Sequence, residues 1–176
     1  MTSKIYYNYH DIRHQTRLLA RAMYLSNWTP DWIVGINRGG LVPALELSHW
    51  MKIPMFTLNV QLRDSTEFGT ESNSWMAEAA FGYDYNTHQF EAQKRILIVD
   101  DINDSGATLN WIRNDWESGC YPDDARWEEK VWHHSTRFAC LVDNANSDAV
   151  IDYSAVDIAK TDEYDPWIVF PWEVDD

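Results

Sequence analysis

Apolar positions recur with helical spacing early in the chain. Between His10 and Leu25, the residues Ile12, Leu18, Leu19, Ala22 and Leu25 fall on one side, while Arg13, Arg17 and Arg21 follow at i, i+4 steps. The pattern predicts an amphipathic helix with a basic outer stripe. Asn27-Trp-Thr-Pro30 ends it. Trp32 to Ile36 then reads as a short buried strand that runs into Asn37-Arg38-Gly39-Gly40. A helix is predicted over Leu41 to Met51 and a second strand over Ile53 to Leu62. Arg95 to Asp101 gives the clearest strand, because the four apolar residues Ile96 to Val99 suit a central position in a parallel sheet. Ile102 to Gly106 reads as a turn. Ala107 to Ser118 reads as a helix with Leu109, Ile112 and Trp116 on one face and Gly119 as its stop. A further helix is expected over Asp123 to His133, a buried strand over Arg137 to Val142, and short strands near Val150 to Tyr153 and Trp167 to Phe170. Strands alternating with helices predict an α/β fold around a mainly parallel sheet.

Asp64 to Gln93 breaks the alternation. It mixes Gly, Ser, Asn, Thr and acids with scattered aromatics and shows no clear period. A stretch of that length inside one domain points to a functional loop that closes over a site. Phe81 to Phe90 has room for a small β-hairpin.

Length and composition set outer bounds. The 176 residues suit a single domain spanning 1–176, and 45% hydrophobic content is ordinary for a globular chain. The formal net charge of −14 is not ordinary. A chain this acidic repels nucleic-acid backbones and anionic membranes, so neither is an expected partner. An anionic ligand would need local donors, a few placed cations or a bound metal. Ten Trp residues are a heavy load, and some are expected at a binding site or subunit contact. Cys120 and Cys140 form no disulfide framework and read as two reduced thiols in a cytoplasmic protein. Met1 to Leu25 has no apolar run typical of a signal peptide, and no stretch reaches the roughly 20 residues of a membrane span.

Candidate chemistry concentrates in Ile96-Leu-Ile-Val-Asp-Asp-Ile-Asn-Asp-Ser-Gly-Ala-Thr-Leu109. A buried strand delivers Asp100 and Asp101 at its C-terminal end, where open α/β sheets bind ligands. The turn that follows can aim the N–H groups of Ser105, Gly106, Ala107 and Thr108 at one anion, helped by the helix dipole. The Ser105 and Thr108 hydroxyls add donors, and Gly106 lets the backbone come close. Two carboxylates beside a phosphate cradle suit the two hydroxyls of a ribose, so the residues read as a ribose-5-phosphate site.

This segment resembles the phosphoribosyl-pyrophosphate motif of type I phosphoribosyltransferases: a hydrophobic run, D/E-D, two residues, then D-S/T-G-x-T. Two other pieces are similar to the purine (xanthine-guanine and hypoxanthine-guanine) members. Val34-Gly-Ile-Asn-Arg-Gly-Gly-Leu-Val-Pro-Ala44 resembles their pyrophosphate loop, in which a non-proline cis peptide precedes the basic residue, here Asn37–Arg38. Asp165-Pro-Trp-Ile-Val-Phe-Pro-Trp-Glu173 resembles their C-terminal segment. Trp167 and Ile168 correspond to an aromatic that stacks on the purine and to a backbone that reads its edge. Glu173 corresponds to an acid near the metal, and Trp172 reads rather as a core or interface aromatic.

The resemblance implies a twisted, mainly parallel sheet flanked by helices, with a small hood drawn from N-terminal elements and residues of about 144–176. It implies Mg²⁺ as cofactor, with Asp100, Asp101 and Glu173 at the metal. It implies transfer of phosphoribosyl from phosphoribosyl pyrophosphate to a nucleobase, in purine salvage, by a homo-oligomer, dimer or tetramer. Arg38 and Gly39 would hold pyrophosphate, and Asp104 to Thr108 the 5-phosphate. Asp104 would also act as general base. One position departs from the pattern. Where 6-oxopurine enzymes end a strand in a lysine that holds the exocyclic oxygen, this chain has Asp143. A carboxylate there favours ring edges that present N–H groups, such as guanine or an aminopurine. A shifted register, or Lys160 reaching in from elsewhere, are the alternatives. The rival reading from another class is a non-catalytic sensor of phosphoribosyl ligands on the same fold.

Overall fold

The computed structural model describes residues 3–60, 74–84, 86–90 and 93–173. The chain opens on strand β1 (Lys4–Tyr6) and enters helix α1 (Tyr9–Leu25) through Asn8. The Asn8 side-chain oxygen accepts the N–H groups of His10 (2.8 Å) and Asp11 (3.1 Å), and the Asp11 carboxylate accepts that of Asn8 (2.9 Å). This reciprocal cap fixes where the helix begins. Ile12, Leu19 and Met23 are buried, with Gln15 and Thr16 among them, and Arg13, Arg17 and Arg21 form the exposed basic stripe. Leu25, expected on the apolar face, is 70% exposed. It closes the last turn of the helix, two residues before Asn27, which has positive φ.

Strand β2 (Trp32–Asn37), helix α2 (Leu41–Met51) and strand β3 (Met55–Asn59) follow as the pattern predicts. Next come α3 (Ser74–Phe81) and a hairpin of β4 (Tyr83–Asp84) and β5 (Gln89–Phe90). Strand β6 (Ile96–Asn103), helix α4 (Ala107–Cys120), a single π-helical turn (Trp127–Val131), and strands β7 (Thr136–Asn144), β8 (Tyr153–Ile158) and β9 (Trp167–Val169) complete the order. Five strands pair in the order β3-β2-β6-β7-β8, all parallel. β1 and β9 form a separate two-stranded parallel sheet.

Side-chain alternation along the strands sorts the core into two layers. Val34, Ile36, Ile96, Ile98 and Phe138 point toward α3 and α4, where they meet Met76, Ala80, Leu109 and Trp116. Ile33, Leu97, Val99, Ala139 and Leu141 point the other way, onto Ile12, Leu19 and Met23 of α1 and Ala44 and Leu47 of α2. A parallel sheet covered on both faces is the α/β arrangement that the sequence implies.

Several expectations change. Ser74–Phe81 is a helix inside the stretch expected to be a loop: almost wholly apolar and short, it shows no period against its polar flanks. Residues 64–73, 85, 91 and 92 of that stretch, and with them most of the segment expected to close over the site, lie outside the described residues. The expected hairpin is present. Gly119 does not stop α4, because a side chain there would face open space and nothing forces the turn; the helix runs on to Cys120. Asp123 to His133 holds only the π-helical turn, since Asp123 has positive φ and Asp124 is tied to Arg126 by two hydrogen bonds of 2.8 and 2.5 Å. β6 continues three residues past Asp100, through part of the expected turn. Part of the Trp load serves packing: Trp116, Trp127 and Trp132 are fully buried, with centroids 5.6–5.7 Å apart along the stack. Among the described residues no helix is long and apolar enough to cross a membrane.

Candidate active site

The chain leaves β2 outward to β3, then returns to pair β6 on the other side of β2. The loops after β2 and β6 therefore diverge from a topological switch point, the crevice where open α/β sheets bind ligands. Glycine is what lets the two loops touch. A Cβ at Gly39 would overlap the Asp101 carboxylate, and one at Gly40 would overlap the Val99 carbonyl. The Asn37–Arg38 peptide is cis, as the resemblance implies. Asn37 is held by a hydrogen bond from its side chain to that of Asn59, and Arg38 is exposed.

β6 presents the two acids. Asp100 accepts the N–H of Asp101, and Asp101 accepts that of Ile102, both at 2.9 Å. Burial pushes the Asp100 carboxyl well above its ordinary range, and the adjacent Asp101 charge adds to this. Burial also raises Asp101, and the Glu173 charge contributes. Two neighbouring acids held in this way are suited to a cation or to hydroxyl donors.

The turn into α4 curls around a hollow of about 240 Å³ bounded by Asp100, Asp101 and Asp104 to Thr108. Gly106 sits at φ +85°, and a Cβ there would fall 2.6 Å from the Ala149 nitrogen. The loop after β7 braces the turn from outside: Asp148 N–H donates to Ser105 O (3.1 Å), and Asn110 Nδ2 donates to Asp148 O (3.2 Å). Ser105 Oγ accepts the Ala107 N–H at 3.3 Å. Asp104 extends outward, its Oδ1 3.0 Å from Lys160 Nζ.

A larger cavity of about 830 Å³ joins the remaining pieces. Arg38, Gly39 and Asp101 form one side, and Trp167, Trp172 and Glu173 form another. Trp167 is 59% exposed and leaves a ring face available. Glu173 is anchored by the Phe170 N–H at 3.0 Å. Ile168 is not among the lining residues; its side chain is buried in the core beside α1, and its backbone pairs with Ile5. Asp143 is not brought to the site. Its carboxylate accepts Asn103 Nδ2 at 2.8 Å, its β8 neighbour is Asp157, and it lines neither this cavity nor the hollow around Asp104.

Three residues escaped the sequence reading. Lys4 lines the larger cavity because β1 pairs with β9, a contact between chain ends that no local pattern encodes. Trp172 lies flat against Phe170 (5.0 Å between centroids) yet also lines the cavity, so it serves both core and site. Asn144, at the end of β7, donates from Nδ2 to Asp104 O at 2.9 Å. An Asn closing a strand beside the site was the signal available for it.

Comparison with known proteins agrees with this geometry. The family described as phosphoribosyl transferase domain matches residues 3–176. A xanthine-guanine phosphoribosyltransferase of Cereibacter sphaeroides is 28% identical over 163 residues, covering 88% of this chain and 79% of its own. A hypoxanthine-guanine phosphoribosyltransferase of Schizosaccharomyces pombe is 24% identical over 188 residues, covering 98% and 90%. The crystal structure of a purine phosphoribosyltransferase from Pyrococcus horikoshii superposes with a TM-score of 0.65 at 25% identity, covering 98% of this chain and 96% of that one. With its two signature loops pressed together at the switch point of a parallel sheet, the chain belongs to the phosphoribosyl transferase domain family.

Proposed function

We propose that this protein is a purine phosphoribosyltransferase of nucleotide salvage: it joins a purine to the 5-phosphoribosyl group of phosphoribosyl pyrophosphate and releases pyrophosphate. The observation that carries the reading is the contact of Gly39 with Asp101, which makes the pyrophosphate loop and the ribose-phosphate motif two walls of one crevice. The names of the relatives point to the same substrates.

Each residue then has a task. The N–H groups of Ser105 to Thr108 hold the 5-phosphate at the start of α4. Asp100 and Asp101 accept hydrogen bonds from the ribose hydroxyls, which answers their raised affinity for protons. Arg38 offers a guanidinium fork to the departing pyrophosphate, and the Gly39 backbone approaches it closely. The bond from the anomeric carbon to pyrophosphate oxygen breaks, and a bond from that carbon to a ring nitrogen of the base forms through an oxocarbenium-like state. Asp104 accepts the proton that this nitrogen loses. Trp167, whose exposed ring lines the larger cavity, stacks on the base.

The acids fit Mg²⁺ in one restricted sense. Among the described residues no group of three or more His, Cys, Asp or Glu forms a cage. Asp100 and Asp101, with Glu173 nearby, suit a cation that takes most of its oxygens from substrate and water. That ion would neutralise phosphate charge against a chain of net charge −14. We place the protein in the cytoplasm as a homo-oligomer, in keeping with phosphorylated substrates and two unpaired thiols.

A panel assay tests the reading. With phosphoribosyl pyrophosphate and Mg²⁺, the protein should form a nucleoside monophosphate from at least one purine. Tight donor binding with no product from any base would make it a sensor instead.

A further inference from the structure

We infer that Lys4 is a second cation of the donor site: strand β1 delivers its ammonium to the large cavity, where it holds the leaving pyrophosphate together with Arg38. The inference rests on the phosphoribosyl-transfer reading above and adds to it a residue from the start of the chain.

The ribbon of β1 and β9 fixes where Lys4 points. In the parallel register Lys4 stands beside Trp167, Ile5 beside Ile168 and Tyr6 beside Val169. Successive side chains of a strand face opposite ways, so the ribbon has two faces. Ile5, Tyr7, Ile168 and Phe170 pack on the core layer that holds α1. Lys4, Trp167 and Val169 face the other way and line the cavity of about 830 Å³, with Arg38 and Gly39 across from them. Backbone hydrogen bonds bracket the strand: Trp167 N–H donates to Ser3 O (2.8 Å), and Tyr7 N–H donates to Val169 O (2.9 Å). The Asn8 cap of α1 follows directly and fixes the other end of β1. The backbone is thus tied down while the lysine side chain is exposed.

The ammonium itself is uncommitted. No ion pair among the described residues includes Lys4. Its Nζ lies 6.0 Å from the centre of the Tyr6 ring, the outer limit of a cation–π contact. Three N–H donors are therefore available to a ligand. The charge of the cavity says which ligand gains most. Lys4 and Arg38 are the cations among its described lining residues, and Asp101 and Glu173 are the acids. Without Lys4 the acids outnumber the cations, and a group carrying several negative charges would meet a net negative wall. A neutral purine draws far less from an ammonium than such a polyanion does. The two cations also divide the work. The guanidinium of Arg38 is a planar fork that sets orientation. The Lys4 ammonium is a compact charge on a flexible stem and can follow the pyrophosphate as negative charge builds on it.

Calorimetric titration with inorganic pyrophosphate, and separately with ribose 5-phosphate, both with Mg²⁺ present, reads the two ends of the donor site. In Lys4→Ala, pyrophosphate should bind about tenfold more weakly, the low end for a charged hydrogen bond because the ammonium is exposed. Ribose 5-phosphate should bind as it does to the native protein, since its phosphate belongs at the start of α4. The melting temperature should hold, because backbone bonds and Ile5 keep β1 in place. Lys4→Arg should recover most of the affinity. In turnover, the KM for phosphoribosyl pyrophosphate should rise in Lys4→Ala while the KM for the purine stays. Unchanged pyrophosphate affinity would overturn the inference. So would an equal loss for ribose 5-phosphate with a lowered melting temperature, which would make Lys4 a tether of the ribbon. A native protein that binds neither ligand would defeat the phosphoribosyl-transfer reading and this inference with it; the native titrations judge the reading, and the variants judge Lys4.

Discussion

A methyl group on residue 39 would occupy the space of the Asp101 carboxylate, so Gly39→Ala forces the two signature loops apart. The expected result is a loss of donor affinity of at least about tenfold by calorimetry, with a melting temperature close to native, because both loops lie at the open end of the sheet. Unchanged affinity would mean that the loops need not touch. Asp104→Asn keeps the shape of the turn and removes the proton acceptor; kcat should fall about 10²–10⁴-fold with little effect on donor binding. The cysteines give a pH-dependent expectation. Burial is the main cause that pushes the Cys120 thiol up to about 11, with Glu78 and Asp115 adding to it, and burial also raises Cys140. The neutral thiol is the favoured form below that value, so alkylation at pH 8 should be slow for the folded chain and rapid at both sites in denaturant. The Cys120 rate should climb as pH approaches 11. Fast labelling of native protein at pH 8 would contradict that burial.

The elements differ in what holds them and in how openly the sequence declares them. Trp116, Trp127, Trp132 and Phe138 stack through the layer between the sheet and α4 and pin the π-helical turn to the core. Trp132→Ala should destabilise the fold by about 3–5 kcal/mol in denaturant unfolding, through lost burial and a cavity; a loss under about 1 kcal/mol would show that the stack is dispensable. β6 was legible because Ile96 to Val99 is an unbroken apolar run, and its motif announced Asp100 to Thr108 at one glance. α3 was not, because Trp75 to Phe81 carries too few polar residues to show a period. Gly119 misled, since a glycine on a solvent-facing position costs helix stability without ending the helix. The site was readable where its residues are neighbours in sequence, as at Arg38-Gly39. It was opaque where a fold contact assembles it. Lys4 enters through the β1–β9 pair, and Lys160 meets Asp104 only because Asn144 holds both segments together. Asp143 stands where the resemblance aligns the family's lysine, but its carboxylate accepts a hydrogen bond from Asn103 Nδ2 and it lines neither cavity, a side-chain contact that no alignment of motifs shows.

At the scale of the whole molecule, a chain of net charge −14 has to bind a donor that is itself a polyanion. The fold meets this locally: helix-start N–H groups, Arg38 and two acids suited to a cation are gathered at one switch point, while Arg13, Arg17 and Arg21 of α1 face outward, on the helix face opposite its buried residues. In the proposed function this crevice joins a purine to phosphoribosyl with loss of pyrophosphate. The most direct test measures pyrophosphate and nucleotide together from phosphoribosyl pyrophosphate and guanine. The expected result is one pyrophosphate released per guanosine monophosphate formed. Pyrophosphate released with no nucleotide, or neither product from an intact donor, would contradict it.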